Sequence, residues 1–72
     1  MNYENGKPIV VGDDVLYGGK SGRIVFLIEE GVFSPGFSEK EWSYKKKGIG
    51  IQLQDGSLFC LDEPDEDLIP QG

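Results

Sequence analysis

Five consecutive apolar residues, Ile24-Val25-Phe26-Leu27-Ile28, constrain the fold of this chain more than any other feature. β-Branched and aromatic residues packed together favour a strand. A strand without polar alternation must be at least partly covered on both faces. A buried strand of a parallel sheet meets that condition, but each parallel pair needs a crossover connection, usually a helix. A chain of 72 residues has no room for such crossovers. The remaining solution is a long, sharply bent antiparallel strand, Arg23 to Glu29, in a small barrel. The apolar run is also far shorter than the roughly 20 residues that span a bilayer. Residues 1–72 therefore read as one small domain, near the size where a single core is only marginally stabilising.

Turn-forming residues divide the rest of the chain. Residues 1–8 carry turn formers without periodicity and read as a flexible arm leading into an edge strand at Ile9-Val10-Val11. Gly12-Asp13-Asp14 is a turn, Val15-Leu16-Tyr17 a strand, and Gly18 to Gly22 a tight connection. Residues 31–47 form a long insertion. Within it, Ser34-Pro35-Gly36-Phe37 has turn chemistry, and Ser38 followed by Glu41 has capping-box spacing. That spacing predicts one or two helical turns holding Trp42.

Asp55-Gly56 marks the clearest hairpin in the chain. Taken as a two-residue loop, it pairs Leu53 with Leu58, Gln52 with Phe59 and Ile51 with Cys60. Alternation then predicts a core face of Ile49, Ile51, Leu53, Leu58 and Cys60. Phe59 and Leu61 fall on the other face, where the insertion with Phe37, Trp42 and Tyr44 is the expected cover. A short closing strand is expected at Leu68-Ile69.

The charge distribution is two-signed. Residues 1–47 hold seven acids and seven bases, whereas residues 48–72 hold six acids and no base, which accounts for the whole net charge of −6. Five of those six lie in Asp62-Glu63-Pro64-Asp65-Glu66-Asp67. A block of one sign attracts cationic partners and repels phosphate backbones. With no histidine, the chain lacks the usual general base and the commonest metal ligand. The single cysteine, Cys60, has no partner within the chain for a disulfide and reads as a small apolar core residue. A lone thiol and no leader-like opening fit a reducing, cytoplasmic setting. Asp62, Asp65 and Asp67 supply oxygen ligands, but Pro64 interrupts them and no glycine follows as in a calcium loop. No metal or cofactor is expected.

Gly12-Asp13-x-Val15, then Gly19-Lys20-x-Gly22-x-Ile24, resembles the opening hairpin of KOW-type and related SH3-like small barrels. The resemblance covers about the first third of the chain. It implies an all-β, SH3-like barrel of about five strands, with the insertion between strands two and three. KOW modules bind RNA or ribosomal partners, and this chain departs from them in being acidic. More broadly, the order of parts resembles a group of short, uncharacterised bacterial proteins. Those parts are the Gly12 start, Ser34-Pro35, Trp42-Ser43-Tyr44 and Glu63-Pro64-Asp65-Glu66-Asp67. That resemblance points loosely to toxin–immunity neighbourhoods.

The expected function is a non-enzymatic, immunity- or inhibitor-like protein that binds a partner with a basic surface. Its expected binding residues are Asp62, Glu63, Asp65, Glu66, Asp67, Phe37, Trp42 and Tyr44. The alternative is a KOW-like nucleic-acid or ribosome-associated module using Lys20, Arg23, Trp42, Lys45, Lys46 and Lys47, where aromatics stack on bases and lysines meet phosphates. The bland reading of the same cluster is that Trp42 and Tyr44 complete the core while the lysines stay solvated.

Overall fold

The computed structural model describes residues 2–37, 39–42 and 46–71. The expected all-β architecture is observed: β1 (Asp14–Tyr17), β2 (Lys20–Leu27), β3 (Val32–Phe33), β4 (Ile49–Leu53), β5 (Leu58–Leu61) and β6 (Leu68–Pro70), with one helical turn, α1 (Glu39–Trp42). All the strands belong to one antiparallel sheet in the order β5-β4-β2-β1-β6, with β3 added on β2. The helical turn holds Trp42 as the sequence predicts, while Ser38 of the capping box lies outside the described residues.

The long strand β2 organises the sheet. Its first half pairs with β1 and its last residues with β3, while β4 pairs along the other edge. Tyr17 pairs with Lys20 across Gly18-Gly19. Both glycines have positive φ (59° and 83°), the requirement of a two-residue primed turn. The expected tight connection is therefore two residues long, and Lys20 to Gly22 are already strand.

The uninterrupted apolar run is accommodated by a β-bulge. Ile24 lies opposite Ile51 and Phe26 opposite Gly50, so Val25 is the extra residue. A bulge bends its strand and reverses the facing of the residues beyond it. Ile24 and Leu27 consequently both face the core, while Phe26 points to the other side over Gly50. Val15, Ile24, Leu27, Ile49, Ile51, Leu53 and Leu68 form the core with Tyr3 and Ile9. On the second face Phe26 is also fully buried. The rings of Phe33, Phe37 and Trp42 cover it at centroid distances of 5.5, 5.8 and 4.7 Å.

Further expectations are corrected. The hairpin between β4 and β5 pairs Ile51 with Phe59 and Gln52 with Leu58, one residue away from the expected register. Its loop has three residues: the Gly56 amide donates to the Leu53 carbonyl, the Leu53 amide to the Ser57 carbonyl, and Gly56 has φ +91°. This is a type I turn closed by a left-handed glycine, the usual three-residue hairpin. The slip moves Phe59 and Leu61 to the core side and turns Leu58 and Cys60 away from it. The insertion therefore does not cover Phe59 and Leu61; its rings cover Phe26.

Another correction concerns residues 2–8, expected as part of a flexible arm. They close on themselves, with the Tyr3 amide donating to the Lys7 carbonyl (2.8 Å) and an isolated bridge between Asn2 and Pro8. Tyr3 is 4% exposed and its hydroxyl donates to Asp13 Oδ2 at 2.8 Å. The same oxygen accepts the Val10 amide, so Ile9 to Val11 is pinned as an irregular segment instead of an edge strand.

Candidate functional site

The acidic segment is the connection from β5 to β6, and backbone contacts hold it in place. The Asp65 carbonyl accepts the Leu68 amide (3.1 Å), and Asp65 Oδ1 accepts the Asp67 amide (2.9 Å). A short acid that bonds a backbone amide two residues on imitates a turn and fixes the chain locally. The Gly18 amide then donates to the Asp67 carbonyl (3.3 Å), fastening the segment to the β1–β2 turn.

The acids divide into two groups. At the start, Glu63 Oε1 accepts from Lys47 Nζ at 2.7 Å. That lysine is held protonated above its ordinary range by the hydrogen bond and charge of Glu63, with Asp62 and Glu29 adding to the field. At the end, Asp65 and Asp67 lie close enough to Tyr17 for their charges to act on it. The Tyr17 hydroxyl is pushed above its usual range, first by loss of solvent and then by those two negative charges. Its ring meets Phe59 at a centroid distance of 5.9 Å and an interplanar angle of 52°.

The contact between Tyr17 and Phe59 also reports the shape of the sheet. They lie on β1 and β5, which are separated in strand order by β2 and β4. A flat sheet would place those strands about 14 Å apart at the usual spacing. The rings touch because the sheet coils over its core. Phe59 remains 43% exposed.

The expected partner-binding residues are thus only partly brought together. Asp62, Glu63, Asp65, Glu66 and Asp67 share one surface segment, four of them exposed and Asp65 half-buried. Phe37 and Trp42 are half-buried against Phe26, on the sheet face opposite the core. Tyr44 lies outside the described residues. Tyr17, which the sequence does not single out, and Phe59, which it places on the other face, meet on the core side of the sheet. Correct hairpin register would have exposed that signal, since it puts Phe59 on the same side as Val15 and Tyr17.

The residues of the alternative site are dispersed. Lys20 is exposed at the β1–β2 turn, and Arg23 bonds its cross-strand partner Asp14 at 3.1 Å. Lys47 pairs with Glu63, Lys46 is exposed, and Lys45 lies outside the described residues. Among the described residues no three or more Cys, Asp or Glu side chains are grouped to hold a metal ion. A groove of about 990 Å³ runs past Tyr3, Asp13, Asp14, Arg23 and Gln52. Its two carboxylates already serve the fold, with Asp13 taken by Tyr3 and Val10, and Asp14 by Arg23. No helix among the described residues is long and apolar enough to cross a membrane. No protein-family model matches the chain, and no curated protein or solved structure is significantly similar to it.

Proposed function

We propose that this domain is a non-enzymatic, cytoplasmic protein-binding module that takes a basic partner on the surface carrying its acidic segment. One observation supports the reading above all. The fixed connection from β5 to β6 presents carboxylates at the surface, and its second half lies near Tyr17, whose ring meets the partly exposed Phe59. Carboxylates steer a cationic partner and set its orientation, while exposed aromatic area supplies contact energy. A narrower form of the reading is an immunity- or inhibitor-like role. In that role the acids occupy positions that a basic enzyme keeps for phosphates.

The test is recovery of the tagged protein from the cells that make it. A basic protein should accompany it at near-stoichiometric level, and Glu66→Lys with Asp67→Lys should release that protein. Both side chains are exposed, and Asp65, whose carboxylate shapes the turn, is left intact. Elution alone, or unchanged capture by the double variant, overturns the reading. Salt-sensitive binding of RNA or single-stranded DNA would instead support the KOW-like alternative.

A further inference from the structure

We propose that the Tyr17–Phe59 face takes one arginine side chain of the partner polypeptide, with Asp65 and Asp67 as its counter-charges. This rests on the protein-binding reading and identifies the group that would be recognised. The face is an uncovered part of the sheet's core side. Ile51 is fully buried beneath the sheet's coil, whereas its cross-strand neighbour Phe59 stands at the rim with 43% of its surface in solvent. The next β5 residue on that side, Leu61, does pack against the core. The opening is therefore centred on Phe59, while the half-buried Tyr17 ring that it touches packs against the core as Leu61 does.

Charge complementarity selects the occupant. Aromatic faces are negative and attract cations, and the nearby carboxylates add formal charge of the same sign. An apolar side chain docking there would strip water from Asp65 and Asp67 without compensation. An anion would be repelled. Lysine would satisfy the charge, but its compact, strongly hydrated ammonium stacks poorly. A guanidinium is planar and weakly hydrated, and it can lie on a ring while its fork of N–H groups reaches carboxylates. The geometry supplies both elements: two rings tilted by 52°, and an acidic turn pinned to the adjacent Gly18. The other half of the acidic segment is less suited, because Glu63 already holds Lys47 at 2.7 Å.

The test follows amide and ring resonances of the full chain during titration with N-acetyl-arginine amide, N-acetyl-lysine amide and N-acetyl-norleucine amide at low salt. Saturable shifts at Tyr17, Phe59 and Asp65 to Asp67 are expected with the arginine amide. The lysine amide should bind roughly two- to fivefold more weakly, the contribution of an exposed cation–π contact, and the norleucine amide should leave these resonances in place. Phe59→Ser and Asp65→Asn should each abolish the arginine preference. Phe59 is partly exposed, and asparagine keeps the oxygen that accepts the Asp67 amide, so both variants are expected to fold. Equal shifts with lysine, shifts spread over all the acids, or a preference surviving in either variant overturns the proposal. Capture of a basic protein without arginine-selective shifts overturns this subsite and leaves the protein-binding reading standing. Arginine-selective shifts with no captured protein do the reverse.

Discussion

At the scale of single residues, stability depends on two close fits. Gly50 lies directly under Phe26, and a methyl group added at Gly50 would overlap the ring. Phe26 cannot retreat, because the rings of Phe33, Phe37 and Trp42 enclose it. Gly50→Ala should therefore cost about 1–3 kcal/mol, the usual range for overpacking, measured as a lower urea midpoint at unchanged slope. Tyr3 is the second fit. Burial, followed by its hydrogen bond to the Asp13 carboxylate and the charge of that group, pushes its hydroxyl well above the ordinary value of 10.0. The protonated hydroxyl is thus favoured in the folded state. Its stabilisation is complete below the ordinary value and is lost as pH rises through the folded one. Stability should fall on alkaline titration above pH 10.0, and Tyr3→Phe should flatten that fall. Near neutral pH the same substitution should cost about 1.5–3 kcal/mol, the net worth of a hydrogen bond to a charged group.

At the scale of elements, two segments outside the main strands complete the fold. Residues 2–8 contribute Tyr3 to the core and lead into buried Ile9. A chain starting at residue 9 should lose about 3 kcal/mol, comparable to truncating a buried aromatic, and show a lower Tm by circular dichroism. A flexible arm would leave Tm unchanged. The insertion acts as a cover for Phe26, which explains why a polar-rich stretch carries Phe33, Phe37 and Trp42. The chain's single tryptophan sits in that cover, so its fluorescence reports the state of the second face.

At the scale of the whole molecule, charge acts in opposite directions on folding and on binding. The net charge of −6 leaves the domain repelling itself, with five of its carboxylates inside one connection. Added salt should screen that repulsion and leave Tm unchanged or raised. The same salt should weaken capture of a basic partner, since long-range attraction is screened as well. Calorimetry and binding across one salt series would display both signs. Parallel loss of stability and capture would mean that binding merely tracks folding.

Much of this architecture was legible in the sequence because its signals are local. A branched apolar run specifies strand, Gly18-Gly19 specifies a turn, and contiguous acids place a charged segment wherever the chain goes. Strand content, the helical turn at Trp42 and the closing strand arise from such short-range chemistry. Facing does not, because it depends on counting residues across partners distant in sequence. One loop residue at Gln54-Asp55-Gly56 decides that Phe59 faces the core side. One bulged residue, Val25, decides that Phe26 faces away from it and needs the insertion as its cover. Burial of Tyr3 awaits the carboxylate of Asp13, and the face shared by Tyr17, Phe59, Asp65 and Asp67 exists only once the sheet has coiled. By itself the sequence determined which main segments form strands and where the negative charge lies. Only tertiary structure decided which rings that charge meets, since register and curvature are properties of the assembled sheet.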